Sequence, residues 1–283
     1  MASISVKVDP KTLPKIRDFL IEKDARERKA TNETEVFRLQ VNSGYIIGYT
    51  SGKIVATSQE SHDLLKEALA LTEGQQADQI LIGSDEAGKG EWLGPLVVAA
   101  VAISPNSLAE IRSIGVMDSK ELSVKRIIEL APQVKEFAIT FKTVLISPKR
   151  FNQLFQEFKE KGRGLNDILA WAHCKAIESA YDNISKQEKQ VRITIDEFDR
   201  VKTARCLGEL EKLPNVAIVQ KIRAEEDMEV ACASILARAE KEKWLSEKSQ
   251  ELNRDLRLIG EKDAVKMEGG DELFKTSYLK YRG

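Results

Sequence analysis

The 283-residue sequence contains little histidine and little cysteine, with two and three residues respectively. Because His62 and His173 are the only imidazoles, a metal site built from several histidines is excluded. Any resident metal must be held by oxygen ligands, which favours Mg²⁺ or Mn²⁺. The cysteines, Cys174, Cys206 and Cys232, are odd in number and lack the paired spacing of a zinc site, so reduced thiols are predicted.

Long apolar runs are also missing, and neither sign of charge is in excess. No uninterrupted apolar stretch approaches the length of a membrane span, and the first residues, MASISVKVDPKT, lack the apolar core of a secretory signal. Lys plus Arg total 44 and Asp plus Glu total 45, which excludes a histone-like basic excess but leaves room for a local basic face. We predict a cytoplasmic monomer with no membrane partner.

The most informative stretch runs from Ile80 to Ile103 and reads ILIGSDEAGKGEWLGPLVVAAVAI. Two apolar runs flank a glycine-rich turn, a pattern typical of strand, loop and strand. Asp85 and Glu86 end the first run. Adjacent residues of a strand point to opposite faces, so both acids can serve one site only if the chain turns there, and Gly88 and Gly90 supply the turn. We interpret the pair as half of a divalent-metal site.

The same stretch nearly matches a phosphate-binding loop. Gly83, Gly88 and Lys89 fit the pattern G-x-x-x-x-G-K, but Gly90 stands where Ser or Thr would reach a magnesium ion. The two acids inside the loop would repel phosphate, and the segment that follows is β-branched rather than amphipathic. An NTP-binding loop is therefore disfavoured.

Acids also follow two later predicted strands. Val191 to Glu197 alternates apolar and polar residues and includes Asp196 near its end, and Val216 to Ile222 leads into three acids that begin at Glu225. If the three strands are neighbours, their carboxylates converge at one edge of a sheet. Two divalent ions about 4 Å apart would offset the repulsion and clamp a phosphodiester and its attacking water. No Ser-His-acid or Cys-His pattern competes with this chemistry.

Residues 1–74 are predicted to form a small α+β unit of their own. A strand, a helix, a three-strand meander and a last helix succeed one another, with turn residues at 42–44 and 51–52. Its Lys and Arg residues are either simply solvated or bind a substrate. Residues 75–78 are predicted to be a polar linker, and 79–283 a larger unit whose tail, from residue 241 onward, is mostly helical.

Four separated motifs of the larger unit resemble those of the type 2 ribonucleases H, the ribonucleases HII and HIII. These are GSDEAGKGEWLGPLVVAAV, then DSKEL, then the strand that closes in Asp196, then RAEEDMEVACASILAR. The run from Asn166 to His173 resembles a further family segment. The fourth motif is one residue shorter than the family pattern. Anchoring it on Arg-Ala-Glu selects Glu225 as the acid, with Glu226 and Asp227 as alternatives.

The resemblance implies an α/β ribonuclease H-like catalytic domain, a mixed sheet flanked by helices, whose substrate is an RNA/DNA hybrid duplex. It implies hydrolysis of the RNA strand to 3′-hydroxyl and 5′-phosphate ends with two Mg²⁺ or Mn²⁺ ions. The implied catalytic and metal-binding residues are Asp85, Glu86, Asp196 and Glu225. The implied substrate-binding residues are Gly88, Lys89, Gly90, Ser119, Lys120 and Asn166.

The N-terminal unit indicates the HIII branch, because ribonucleases HIII carry an N-terminal domain similar to half of the TATA-binding protein and ribonucleases HII do not. Three alternatives stay open: a ribonuclease HII-type enzyme that cuts at single ribonucleotides in DNA, a non-catalytic hybrid-binding protein, and a structure-selective DNA nuclease. His173 is either a structural hydrogen-bonding residue or a contact to metal or substrate.

Overall fold

The computed structural model describes residues 4–73, 79–116, 119 and 122–279, and the side chains of 70–73 and Glu225 are outside this description. The chain divides into two compact units. One contains the residues up to Gln79 and the segment 103–116, and the other contains 80–102 and the chain from Ser119 onward. Lys120, a predicted substrate-binding residue, lies outside the described residues.

The first unit is built on a five-stranded sheet. Its elements are β1 (Ile4–Lys7), α1 (Leu13–Glu22), β2 (Arg26–Glu27), β3 (Glu35–Val41), β4 (Gly44–Tyr49), β5 (Lys53–Ala56), α2 (Gln59–Glu73) and α3 (Leu108–Ser113). The strands lie in the order β1-β5-β4-β3-β2 and pair antiparallel. Asn42, at φ +48°, and Gly52, at φ +83°, lie in the turns of the meander, so the predicted three-strand meander is confirmed.

Alternation along β3 explains how this unit buries its core. Phe37 and Leu39 face inward with Ile16 and Leu20 of α1, whereas Arg38 on the opposite face is partly exposed. A strand of period two therefore supplies one apolar face for the helices and one polar face.

The second unit is a mixed α/β sheet with helices, as the resemblance implies. Its elements are β6 (Gln79–Ala87), β7 (Leu96–Ile103), α4 (Val124–Phe137), β8 (Thr140–Ile146), α5 (Pro148–Glu160), α6 (Leu165–Asp182), β9 (Gln190–Asp196), α7 (Arg200–Cys206), α8 (Gly208–Glu211), β10 (Val216–Lys221), α9 (Met228–Glu251) and α10 (Glu261–Ala264). The strand order is β10-β9-β6-β7-β8. The β9–β10 pair is parallel and the β7–β8 pair is antiparallel.

Helix α9 approaches strand β6 more closely than a side chain would allow. A Cβ atom added to Gly83 would lie 2.1 Å from the carbonyl carbon of Glu229 and 2.3 Å from the nitrogen of Val230. The facing turn of α9 is lined by small buried residues, including Ala231 and Ala233. Glycine at position 83 therefore sets the distance between the central strand and this helix.

Cys174 of α6 and Cys206 of α7 are joined by a disulfide, with their Cα atoms 6.3 Å apart, and Cys232 is free and buried. The prediction of reduced thiols is therefore wrong for this pair. Their separation of 32 residues in the chain hides the side-by-side packing of the two helices. No described helix is both long enough and apolar enough to cross a bilayer.

The segment after α9 is less helical than predicted. Apart from α10, residues 256–279 contain only single 3₁₀ turns at Leu256–Leu258, Gly270–Glu272 and Thr276–Tyr278. Leu256, Leu273 and Phe274 do not form a stripe along one helix; they are buried in a cluster with Trp92 and Leu93 of the loop after β6. Tertiary packing, rather than helical periodicity, explains these apolar residues.

Replacing Gly83 by alanine tests the close packing of α9 on β6. We expect Gly83→Ala to lower the free energy of unfolding by about 2–3 kcal/mol, because the methyl group overlaps the α9 backbone. Gly208→Ala is the matched control, since no heavy atom lies within 4 Å of its added Cβ. The two variants are compared with the parent by urea denaturation, and equal midpoints for all three proteins would contradict the packing described.

Candidate active site

Four successive residues near the end of β6, Gly83 to Glu86, face two helices in alternation, α9 on one side and α6 on the other. Ser84 and Glu86 both contact His173 of α6, at 2.8 Å and 3.0 Å. On the opposite face, Gly83 packs against α9 and Asp85 accepts a hydrogen bond from Ser234 of the same helix. The two acids therefore lie on opposite faces of one strand. The predicted turn at the acids is wrong, because the strand continues to Ala87 and the chain turns only at Gly88.

The Glu86 carboxylate is held by two groups, one on each oxygen. His173 Nε2 lies 3.0 Å from Oε2, and Lys89 Nζ lies 3.1 Å from Oε1. Burial alone would raise the pKa of this carboxyl, but the contacts with His173 and Lys89 outweigh burial and keep the pKa well below its usual value. Glu86 is therefore ionised across the physiological range.

The neighbouring Asp85 carboxyl is in the opposite situation. Burial, followed by the negative charge of Glu86, raises the pKa of Asp85 well above its usual value, and the Ser234 hydroxyl only partly opposes the shift. The groups near Asp85 therefore do not fully offset the effect of burial on its charged form. A carboxylate in such a place gains most from an added cation, and the all-oxygen donors near it suit Mg²⁺ or Mn²⁺.

Ser119, a predicted substrate-binding residue, is linked to Asp85 through Ser234. The two serine hydroxyls are 2.7 Å apart, and the Arg238 guanidinium donates to the backbone carbonyls of Ser119 and Leu122. Residues of the second and fourth motifs are thus brought together beside the first acid of β6.

Asp196 ends β9, the strand adjacent to β6 in the sheet. Its Oδ1 accepts a hydrogen bond of 3.2 Å from the backbone N–H of Ala224, the residue before Glu225. Of the two alternatives for the fourth acid, Asp227 is paired with Lys221 at 2.8 Å, and Glu226 is exposed. The backbone of Glu225 therefore lies next to the contact of Asp196, while the position of its side chain stays a prediction.

Among the side chains that the structure describes, no three Asp, Glu, His or Cys residues form a group that could hold a metal ion. Asp85 and Glu86 lie on opposite faces of β6, and the Glu225 side chain is outside the described part of the chain. The types of donor at the ends of β6 and β9 nevertheless fit a hard divalent cation.

The loop after β6 combines a tight turn with open space. Gly88 has a φ of +86°, and a Cβ there would lie 2.2 Å from the carbonyl oxygen of Pro95. Gly90 has a φ of +77° and no heavy atom within 4 Å of an added Cβ. The Lys89 ammonium between them also lies 5.3 Å from the ring centre of Phe198. A ligand can therefore approach Gly90 closely from the side on which a Cβ would lie.

Asn166 belongs to the first turn of α6 and donates a hydrogen bond of 3.3 Å to Asp199. Asp199 in turn caps α7, and Lys202 bridges Asp199 and Asp167 at 3.4 Å and 2.9 Å. Asn166 is thus tied to the loop between β9 and α7, which also carries Phe198.

The C-terminal segment braces this glycine loop, a contact that the sequence analysis missed. Gly94 N–H donates to the Leu273 carbonyl at 3.0 Å, and Lys275 N–H donates to the Trp92 carbonyl at 2.7 Å. The rings of Trp92 and Phe274 are 5.3 Å apart. The sequence contains one indication of this contact: an apolar pair, Trp92-Leu93, in a polar loop, and a second apolar pair, Leu273-Phe274, far along the chain.

Lys275 completes the brace from the interior. Its buried ammonium donates to the Gly94 carbonyl and lies 5.8 Å from the ring centre of Phe151. Burial lowers the pKa of Lys275 to about 7. Lys275 therefore contacts the loop from a position where burial disfavours its charged form.

Comparison with known proteins agrees with this geometry. The family model of ribonuclease HII matches residues 82–260, which is more than half of the chain. Ribonuclease HIII of Protochlamydia amoebophila is 35% identical over 200 residues, covering 67% of this chain and 63% of that protein. Ribonuclease HIII of Chlamydia pneumoniae is 31% identical over 232 residues, covering 79% of this chain and 74% of that protein. The match therefore spans somewhat less than two thirds of the length of the P. amoebophila relative.

Solved structures share the fold. Bst ribonuclease HIII in complex with Mn²⁺ has a TM-score of 0.62 at 22% identity and covers 99% of this chain and 100% of that one. Aquifex aeolicus ribonuclease H3 has a TM-score of 0.55 at 24% identity and covers 97% of this chain and 99% of that one. Ribonuclease H2 from Pyrococcus horikoshii has a TM-score of 0.50 at 23% identity and covers 61% of this chain and 77% of that one.

The mixed sheet with acids at its strand ends, and the family model that matches it, define a protein of the type 2 ribonuclease H class. Within that class, the identity to the curated relatives shows that the chain belongs to the ribonuclease HIII family.

The raised pKa of Asp85 predicts that the acid destabilises the fold. Between the usual and the raised pKa, the folded chain binds a proton that the unfolded chain lacks, so the free energy of unfolding falls as pH rises through this window. In EDTA, we expect Asp85→Asn to be more stable than the parent by on the order of 2 kcal/mol at about pH 8, and by much less at about pH 4.

Asp182→Asn, at an exposed position of α6, is the control for this experiment and is expected to leave the stability unchanged. Urea denaturation at both pH values measures the difference. A variant of Asp85 that is less stable than the parent at the higher pH would contradict the electrostatic description.

Proposed function

We propose that this protein is a metal-dependent endonuclease that hydrolyses the RNA strand of RNA/DNA hybrids to 3′-hydroxyl and 5′-phosphate ends. The observation that carries the proposal is the pair of partly buried acids at the end of β6, next to an open glycine loop, in a chain of the ribonuclease HIII family. The position of Asp85, where burial and the charge of Glu86 are only partly offset, supports a cation at this point.

Asp85, Glu86, Asp196 and Glu225 are the residues proposed to hold two Mg²⁺ or Mn²⁺ ions. When bound, such ions polarise the phosphodiester, activate a water molecule and neutralise the leaving oxygen. The chain supplies the orientation of the ligands. His173 holds Glu86 from α6, and Ser234 holds Asp85 from α9. Because both helices pack on β6, the two carboxylates keep fixed directions at the strand end.

The loop of Gly88, Lys89 and Gly90 is proposed to recognise the RNA strand. The open space at Gly90 lets a ribose 2′-hydroxyl reach the backbone, and this hydroxyl is what distinguishes RNA from DNA. Lys89 offers a point charge to phosphate rather than the planar fork of an arginine. Ser119, Lys120 and Asn166 are the further substrate contacts in this proposal.

The first unit is proposed to bind the hybrid duplex through the outward face of its sheet, as a domain resembling half of the TATA-binding protein. Arg38 of β3 lies 5.5 Å from the ring centre of Tyr45 of β4 on this face, with Gln40 beside them. A guanidinium and an aromatic ring on the same face of a sheet suit contact with a nucleic-acid backbone. That the protein acts as a cytoplasmic monomer stays a prediction.

A ribonuclease HII-type activity is the second candidate, because the matching family model is that of ribonuclease HII. The likeness to solved HIII folds extends over 97–99% of the chain, against 61% for the P. horikoshii ribonuclease H2. The extent of the fold therefore favours the HIII branch.

Cleavage of two labelled duplexes tests the proposed activity. One carries a full RNA strand on DNA, and the other carries a single ribonucleotide within DNA. With Mg²⁺ or Mn²⁺, we expect the parent to cut only the first, and Asp85→Asn to lose more than about 100-fold of the rate because a proposed metal ligand is gone. Asp182→Asn is expected to cut as the parent does.

Efficient cutting at the lone ribonucleotide would favour the HII-type candidate. Tight binding of the hybrid without cutting, with either metal, would contradict the proposed enzyme activity and favour a non-catalytic hybrid-binding protein. Cutting of an all-DNA branched substrate instead would point to a structure-selective DNA nuclease.

A further inference from the structure

We propose that Lys89 and a divalent cation compete for the Glu86 carboxylate, so that a cation bound at Glu86 turns Lys89 toward the phosphates of the substrate. The inference rests on the metal site of the proposed function and deepens it, because it couples binding of the cation to binding of the duplex.

The two oxygens of Glu86 are unequal in how firmly their partners are held. On Oε2, His173 is wholly buried, and its other ring nitrogen lies 2.8 Å from the Ser84 hydroxyl. Ser84 is itself fixed by a hydrogen bond of 2.9 Å to the Ala99 carbonyl of β7. This partner is anchored on two sides and cannot move away without disrupting the core.

On Oε1, the partner is less confined. The Lys89 side chain is 36% exposed, extends from a glycine-flanked turn and ends 3.1 Å from Oε1. Four rotatable bonds let its ammonium move while the backbone stays in place. A divalent cation can therefore bind at Oε1 of Glu86, and Lys89 is the group that must move away from this atom.

Electrostatic repulsion also prevents Lys89 and a divalent cation from binding Glu86 equally well at the same time. A carboxylate that carries one negative charge is neutralised by the ammonium in contact with it, so an arriving cation meets less attraction and a nearby positive charge. In this partly buried site the two cations interact more strongly than they would in water. Removal of the ammonium is therefore expected to tighten cation binding by about tenfold.

The ammonium also has a second contact, which does not depend on Glu86. Lys89 Nζ lies 5.3 Å from the ring centre of Phe198, and that ring packs 5.1 Å from the ring of His173. The aromatic face can hold the charge near the open side of the loop at Gly90. From there, the ammonium can reach a phosphate of a duplex bound along the loop. By linkage, the cation then raises duplex affinity by the same factor that the duplex raises cation affinity.

Calorimetric titration of the full chain with Mn²⁺, without nucleic acid, tests the competition. We expect Lys89→Met to bind Mn²⁺ about tenfold more tightly than the parent, and Lys89→Arg, which keeps the charge, to bind within about threefold of the parent. Lys212→Met is the matched control and is expected to match the parent. It removes an exposed lysine directly after α8 that pairs with Glu209 at the same spacing of three residues. If Lys89→Met does not fold, Lys89→Gln, which is also neutral, takes its place.

A second measurement tests the release of Lys89. Affinity for an all-DNA duplex, which offers phosphates but no RNA strand to cut, is measured by fluorescence anisotropy with and without Mn²⁺. We expect Mn²⁺ to increase the affinity several-fold more in the parent and in Lys212→Met than in Lys89→Met.

The outcomes separate the two levels of the proposal. A parent that binds no Mn²⁺ at any concentration would overturn the proposed metal site. A parent that binds Mn²⁺ with the same affinity as Lys89→Met would overturn the competition alone and leave the proposed function intact. Tighter binding by Lys89→Met together with an equal gain of duplex affinity in both proteins would overturn the release of Lys89.

Discussion

Two carboxylates follow one another at the end of a buried strand, and their partial burial is the constraint on which the second unit depends. Because the pleat separates them, each acid needs its own support. Glu86 is balanced by His173 and Lys89, whereas the burial and like charge that raise the pKa of Asp85 are only partly offset. A fold that keeps an incompletely compensated acid in this position sacrifices stability, as binding and catalytic sites commonly do.

The remaining elements of this unit hold the strand end in place. Helix α9 lies directly on β6 because position 83 has no side chain, and it brings Ser234 to Asp85. Helix α6 brings His173 to Glu86 on the other face. The C-terminal segment adds backbone hydrogen bonds and the buried Lys275 to the glycine loop. Each support comes from a part of the chain far from the acids, so the geometry of the site depends on the packing of the whole unit.

Local features of the sequence were predictable, and distant contacts were not. The strand Leu96–Ile103 after the glycine loop and the three-strand meander of the first unit could be predicted, because apolar runs and turn residues act over a few positions. His173 could be assigned to a helix but not to Glu86, which lies 87 residues earlier. The disulfide and the brace on Trp92 were missed for the same reason, since each joins segments whose proximity only the tertiary fold creates. The choice of Glu225 rests on the family motif, and the hydrogen bond of Asp196 to its neighbour is compatible with it.

The central claim is that the acids at the ends of β6 and β9 form a single divalent-metal site. Anomalous diffraction from crystals of the protein grown with Mn²⁺ tests it most directly. We predict anomalous density in contact with Asp85, Glu86 and Asp196, with the Glu225 side chain turned toward it. Density elsewhere on the protein, with none near these acids, would contradict the account.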